Sequence, residues 1–543
     1  MRVYPQSEDM TVGWPEPVES GWQMLGGDTT SGLAPKLPHL GLADVLFMSM
    51  VMAIPRPVRP WGIVSWMAEV FKLSRPALYA LSERTKERLL SCDDASEVLP
   101  DQTVNSVEVT PTRLVRTVLT ASLPGKTAIR PLQKVLQAAF DQTRSVGWIS
   151  ERLTEAGRQA GEVLERVDTS PLGAVIAARD ETFFHNQPLL LVIDPVTTTI
   201  LQAQVCADRQ AETWGTVLLM VEEQGVQIKG LVEDMARMYP KSQKEAEMEA
   251  VPVQKDVWHV ERDGGQVLRD LERAALRATG HVCKLEKCLQ ETWDEALFDD
   301  KYVAAVAAEE RLYDQHAAFA QALSHLVDAL ELVDWRSGEI RTRAINTWLL
   351  EETLLLMEAI DHKRVLKWAK TLRNHQPQLL TALDWLHDGL QPVRHQLAQH
   401  LSPSQQSAFV STVSRHWRLQ QALINGHAHF RTTTHAATNT LHALLADHPQ
   451  RRLWADQICA VLNAACRTSS MIENVNGLLK QFLHTHKAFR SPETLQLYLN
   501  LFVLWHNLRP FERGKRAGHS PYQLAGIDLG SDDWLALLGY PAA

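Results

Sequence analysis

The stretch that most constrains what this chain can become is Leu172–Met235. Ala174–Ala178 is a short apolar run that ends at Asp180-Glu181, and Leu189–Ile193 is a second. After Asp194-Pro195 comes a third, Thr197–Leu201, rich in Thr and Ile. Short apolar and β-branched runs punctuated by Asn, Pro and Asp are strand-and-turn signals. Arg209–Glu223 has the length and spacing of a helix, and Val226–Val232 forms a fourth strand-like run closed by Glu233-Asp234. The order strand, strand, strand, helix, strand sets Asp180 on the first strand and Asp234 just past the fourth. If those two strands are neighbours, the carboxylates meet. Paired hard oxygens of this kind suit a pair of divalent cations that clamp a phosphodiester. Glu181, Asp194 and Glu233 are the rival acids. Alternation along a strand turns Glu181 and Glu233 to the opposite face, and Asp194 belongs to a Pro-containing turn.

A third acid stands far down the chain, in Ser469-Ser470-Met471-Ile472-Glu473-Asn474-Val475-Asn476-Gly477-Leu478-Leu479-Lys480. Together Asp180, Asp234 and Glu473 resemble the Asp-Asp-Glu triad of cut-and-paste transposases of bacterial insertion sequences, in the retroviral-integrase superfamily. Glu473 with Lys480 seven residues on is similar to their glutamate helix. So is the tail His506-Asn507-Leu508-Arg509-Pro510-Phe511, followed by Arg516, Gly518, Ser520 and Pro521. The resemblance spans roughly residues 172–526 and has no matching motif in its middle.

It implies an α/β fold: an RNase H-like catalytic core, with a mixed sheet flanked by helices, joined to N-terminal helix-turn-helix modules and a large all-α insertion. It also implies two Mg²⁺ or Mn²⁺ ions held by Asp180, Asp234 and Glu473, with Asp180 bridging, and DNA contacts from Asn476, Lys480, Arg509 and Arg516. The activity implied is cleavage of element ends and joining of 3′ hydroxyls to target DNA. Partners implied are double-stranded DNA and a second copy of the chain, at least a homodimer in the active complex. Met235 follows Asp234 where such enzymes often carry Gly. That departure motivates the alternative of a domesticated, catalytically inactive DNA-binding protein. A cellular ribonuclease H or Holliday-junction enzyme accounts less well for the N-terminal modules and the long insertion.

With 543 residues, several domains are expected. Residues 1–40 lack periodicity and read as a flexible arm. Residues 41–92 read as a helix-turn-helix domain: a buried helix over Leu42–Ile54, a short helix over Ile63–Val70, a turn, and Ser74 capping a helix that runs to Arg88. Arg75, Tyr79, Arg84 and Lys86 then lie where they reach DNA. Residues 109–168 form a second helical, helix-turn-helix-like unit, with Ser145 capping its last helix. Residues 172–275 are the first part of the core, with a fifth strand at Val257–Val260, a turn at Asp263-Gly264-Gly265, and Tyr239–Val253 as a surface excursion. Residues 276–465 are the all-α insertion, and 466–543 the rest of the core with Glu473 and a basic tail.

The formal net charge of -9 does not itself signal nucleic acid, although local basic surfaces survive such a balance. Six scattered cysteines read as thiols of a reducing compartment. No secretory signal opens the sequence, and its most apolar run, Leu42–Ile54, is too short to span a bilayer. The expectation is a bacterial, cytoplasmic, nucleoid-associated protein that makes no use of a membrane.

Overall fold

A computed structural model of the chain describes residues 47–49, 51–52, 54, 59, 62–80, 83, 108–292, 298–446 and 448–542. They fall into two compact units, Met1–Val107 and Glu108–Ala543. Among the described residues no helix is long and apolar enough to cross a membrane.

In the first unit, helix α1 (Ile63–Val70) buries Ile63 and Met67. These pack with Met48, Met52 and Leu78 into a small core edged by Phe47, Trp66 and Phe71. Residues 71–74 turn the chain, with Lys72 at φ 51°, and a helix resumes at 75–80. Ser74 Oγ accepts from the Ala77 amide at 3.3 Å, the cap expected there. The arm over 1–40 and residues 84–107, with Arg84 and Lys86 among them, lie outside the described residues.

The second unit opens with α2 (Pro111–Ser122), α3 (Ile129–Phe140) and α4 (Val146–Leu164). Ser145 caps α4 through the Trp148 amide at 3.0 Å. Then come β1 (Ala174–Phe184), β2 (Gln187–Ile193), β3 (Ile200–Val205), α5 (Ala211–Glu223), β4 (Gln227–Glu233), α6 (Tyr239–Glu245) and β5 (Val253–Lys255). The described strands form one mixed sheet in the order β3-β2-β1-β4-β5. β1 runs antiparallel to β2 and parallel to β4.

Each face of the sheet has its own core. Ala178, Leu189, Leu191, Ile193 and Val232 face α2–α4 and two late helices, α15 (Ser470–Leu483) and α16 (Pro492–Leu508). Ala177, Leu190, Val192 and Leu231 face Trp214, Leu218 and Tyr239 on α5 and α6. The period-two alternation of the strands is thereby spent on two apolar layers. Helices α4 and α16 approach closely at Gly157, where a Cβ would lie 2.3 Å from the Leu497 carbonyl oxygen. The 109–168 segment therefore contributes to the same core as the sheet.

Between β5 and α15 the chain is helical: α7 (Val257–Thr292), α8 (Val303–Ala329), α9 (Arg343–Glu358), α10 (Lys363–Leu379), α11 (Thr381–Ala398), α12 (Pro403–Ile424), α13 (Arg431–Leu445) and α14 (Pro449–Ala464). They enclose a separate core around Phe319, Leu350, Leu386, Phe409 and Ile458. This block docks on the sheet edge. The Gln254 side chain donates to the Leu379 carbonyl at 3.0 Å and accepts from the Ala382 amide at 2.7 Å. Gly230 on β4 leaves room for the Trp385 ring, which a Cβ would meet at 2.5 Å.

Four local expectations are corrected. Val257–Val260 is not a strand: β5 ends at Lys255, and Asp256 starts α7 by accepting from the Trp258 amide at 2.7 Å. Val257 and Val260 are then buried three residues apart on one helix face. Asp263-Gly264-Gly265 continues that helix, and a Cβ at Gly264 would meet Leu323 and Trp368. The glycine serves close packing there, not a turn. Tyr239–Val253 is no surface excursion, because Tyr239 is fully buried on α6. The third strand begins at Ile200; the Asp194 carboxylate holds residues 194–199 in a turn by accepting from the amides of Val196 and Thr197.

Candidate functional site

The register of β1 on β4 brings the two aspartates level. Ala178 pairs with Val232, so two residues further on Asp180 stands beside Asp234. Both continue the face occupied by Ala178 and Val232, the one covered by α15. The Asp180 carboxylate accepts from its neighbour's backbone, the Glu181 amide, at 2.9 Å and from the Asn476 side-chain amide on α15 at 2.8 Å. The Asn476 Oδ1 atom is buried with no hydrogen-bond partner. Asp234 accepts from the Ala236 amide at 2.7 Å, which fixes the turn after β4.

Glu473 sits in the first turn of α15, one turn before Asn476. Its carboxylate lies 3.4 Å from Nε2 of His259, on the first turn of α7. The other imidazole nitrogen, Nδ1, is 2.7 Å from the Asp256 carboxylate. Asp256 is itself buried. It caps α7, accepts from the Ser469 amide at 3.0 Å, and also bonds the Ser469 hydroxyl. One carboxylate thus joins the end of β5, the start of α7 and the residue before α15. The Val257 amide, bonded to the Arg467 carbonyl at 3.0 Å, closes the same junction.

Electrostatics tie these groups together. Burial pushes the Asp180 carboxyl up to about 7, and the neighbouring charges of Glu181 and Asp234 add to it, against a lowering from His259. Burial also raises Asp234, opposed by the Ala236 amide and by His259. Glu473 is raised by burial too, again opposed by His259. Burial alone depresses His259, but its bond to Asp256 and that group's charge leave it above the ordinary histidine value. The imidazole lowers all three acids. Among the described residues none of the three forms an ion pair with lysine or arginine, and no three His, Cys, Asp or Glu side chains are placed to hold a metal ion as they stand.

The donor chemistry nonetheless fits hard divalent cations. It offers carboxylate oxygens from three elements, mutual repulsion that positive charge relieves, and an unpartnered amide oxygen beside Asp180.

The rival acids have structural partners. Glu233, buried on the opposite face, accepts from Arg179 Nε at 2.7 Å and Lys255 Nζ at 2.6 Å. Glu181 bonds Arg209 and the Tyr239 hydroxyl, the latter at 2.9 Å. Asp194 keeps its turn.

The remaining predicted contacts are dispersed. Lys480 is exposed on α15 and its charge reaches Glu473. Arg509 lies on the Trp505 ring at 4.8 Å, and Arg516 over Phe511 with a bond to the Pro195 carbonyl at 3.3 Å; both are half-buried and brace the loop after α16. Asn476 faces Asp180 from a buried position. In the first unit Arg75 bonds the Ser65 hydroxyl at 2.8 Å and Tyr79 is exposed. Asp256 and His259 were missed in the sequence. The signal for them is an Asp three residues before a His at a strand-to-helix junction, concealed when Val257–Val260 is read as a strand. No protein-family model matches this chain, and no curated protein is significantly similar to it.

Proposed function

We propose that the chain is a divalent-metal-dependent DNA transposase of the Asp-Asp-Glu class, built on an RNase H-like core. The observation that carries this reading is the gathering of Asp180, Asp234 and Glu473, from β1, the end of β4 and α15, around His259, with no lysine or arginine paired to them among the described residues. Two buried aspartates raised by burial and by neighbouring acids, with no lysine or arginine paired to them among the described residues, are a costly arrangement for stability alone. Support also comes from β1 lying between antiparallel β2 and parallel β4, which sets the two aspartates side by side.

Asp180 and Asp234 would hold the cations jointly, with Glu473 completing the set. Mg²⁺ or Mn²⁺ bound there supplies Lewis-acid activation of water or a 3′ hydroxyl and neutralises charge at phosphorus. The chain's own residues prepare the place. Asn476 orients the Asp180 carboxylate, the Ala236 amide orients Asp234, and Asp256 fixes both His259 and the residue that leads into α15. Lys480, two turns beyond Glu473, stands where it meets a DNA phosphate. The 63–70 and 75–80 helices, with Arg75 and Tyr79, are proposed to read DNA as a helix-turn-helix.

The test is nicking of DNA that flanks the gene by the full chain with Mg²⁺ or Mn²⁺. Asp180→Asn, Asp234→Asn and Glu473→Gln are each expected to lower cleavage by about three orders of magnitude or more while leaving DNA binding largely intact. Undiminished cleavage by all three variants would overturn the assignment. One observation favours a second reading, an inactive transposase-derived DNA-binding protein: Glu473 is engaged by His259, and among the described residues no three acids are placed to hold a metal ion as they stand. DNA binding without cleavage under either metal would select it.

A further inference from the structure

A cleft of about 460 Å³ opens on the α5–α6 side of the sheet, at the turn that follows Asp234. Arg209 and Glu212 line it at the start of α5, Arg237 and Met238 in the turn after β4, and Lys241 on α6. It shares structure with the acids on two sides. Ala236, whose amide fixes Asp234, belongs to its wall, and Arg209 pairs with Glu181, next to Asp180. Its charge is unlike that of its surroundings. Three cations line it against one carboxylate, in a chain whose formal net charge is -9. Arg209 is partly committed to Glu181, whereas Arg237 and Lys241 are exposed and make no hydrogen bond or ion pair with the described residues.

We infer that this cleft holds a backbone phosphate of the DNA strand, a short distance along from the phosphodiester at the acid site. The inference rests on the function proposed above and names a contact for it. A strand laid across three carboxylates meets repulsion at every phosphate, so the phosphates flanking the reacting one need cations close by. Arg237 and Lys241 lie just beyond the second aspartate and meet that need. The cleft is open and half of its lining residues are charged, which suits a contact to backbone and not to base edges. Its effect is therefore independent of sequence.

The test measures binding of a labelled DNA duplex to the full chain by fluorescence anisotropy, without divalent metal, between about 50 and 200 mM salt. Arg237→Ala/Lys241→Ala is expected to bind about tenfold more weakly at the low-salt end. The slope of log affinity against log salt should fall by about 2, one for each lost contact. The charge-preserving Arg237→Lys/Lys241→Arg should stay close to wild type, which separates charge from shape. Inorganic phosphate and a mononucleotide serve as competitors. Displacement of the duplex by either at micromolar concentration would assign the cleft to a free phosphate ligand and overturn the inference. So would unchanged affinity and slope in the alanine pair. A wild-type chain that binds no DNA would remove this inference and the proposed function together. Loss of binding in the pair, with no cleavage by the wild type, would leave this contact standing and remove only the catalysis.

Discussion

Neighbouring residues of the same two strands lead opposite lives on the two faces of the sheet. Arg179 and Glu233 point to the α5–α6 side, where Lys255 joins them and Tyr239 and Trp214 cover the Arg179 guanidinium. Both cations there share the Glu233 carboxylate, and the Ser242 hydroxyl accepts from Arg179 at 2.8 Å. Asp180 and Asp234, one residue along each strand, point to the α15 side, where burial and the nearby Glu181 charge raise both. A buried charge that is paired contributes to the fold; one left without a counter-ion works against it. Glu233 and Asp234 are adjacent in sequence, yet Glu233 holds two buried cations and Asp234 pairs with none among the described residues.

The largest stability effect is expected on the paired face. Glu233→Ala strands two buried cations and should cost about 3–5 kcal/mol in denaturant unfolding. A loss under about 1 kcal/mol would break the comparison, because the paired face would then be as dispensable as a surface salt bridge.

Next comes the junction behind the acid site. Asp256→Ala removes a helix cap, two bonds from Ser469 and the partner of His259, and should cost about 2–3 kcal/mol. Its pH dependence follows from two opposite shifts. Burial raises Asp256, but His259 and Ser469 outweigh it and leave the carboxyl below its ordinary value. That contribution is present above the unfolded value and fades as pH falls through the depressed one. His259 is held above its ordinary value, so its contribution is present below the unfolded value and fades as pH rises through the raised one. The cost should therefore peak between about pH 4 and 6.5, measurable as the difference between wild-type and variant unfolding curves across that range. A flat profile would detach His259 from Asp256.

On the acid face the sign reverses. The folded chain holds the Asp180 proton more tightly than the unfolded one does. Stability is therefore lost as pH rises from the ordinary aspartate value to about 7. Asp180→Asn removes that penalty and can still accept from Asn476. It should gain about 1 kcal/mol at pH 8 and nothing at pH 4, as read by thermal unfolding. Destabilisation at pH 8 would place Asp180 with the structural acids.

How much of this was legible beforehand follows from which forces act locally. Strand alternation and turn residues are local, so β1, β2, β4 and the exclusion of Glu233 and Asp194 from the site could be read directly from residues 172–235. The late glutamate was reached through resemblance, and the helical periodicity of 302–423 through spacing. What could not be read depends on distant partners. Gly264 looks like a turn former until Leu323 and Trp368 arrive from other helices to fill the space beside it. Tyr239 looks like a surface residue until Arg179 comes beneath it. His259 looked like a strand residue because its defining partners, Asp256 and Glu473, lie on either side of the long helical insertion.

The smallest effect on folding is expected at Lys480, exposed on α15 two turns beyond Glu473. Its long side chain makes no hydrogen bond or ion pair with the described residues, so Lys480→Ala should change stability by no more than about 0.5 kcal/mol. Its charge nevertheless lowers the Glu473 carboxyl, and losing it leaves the acid face more negative. DNA affinity at low salt should therefore fall several-fold, with a shallower salt slope, in a protein that unfolds like the wild type. Paired with Glu233→Ala, this variant forms the reciprocal control, in which the buried charge governs the fold and the exposed one the ligand. Equal DNA affinity for Lys480→Ala and wild type would move the proposed DNA path away from α15 and toward the cleft at Arg237 and Lys241.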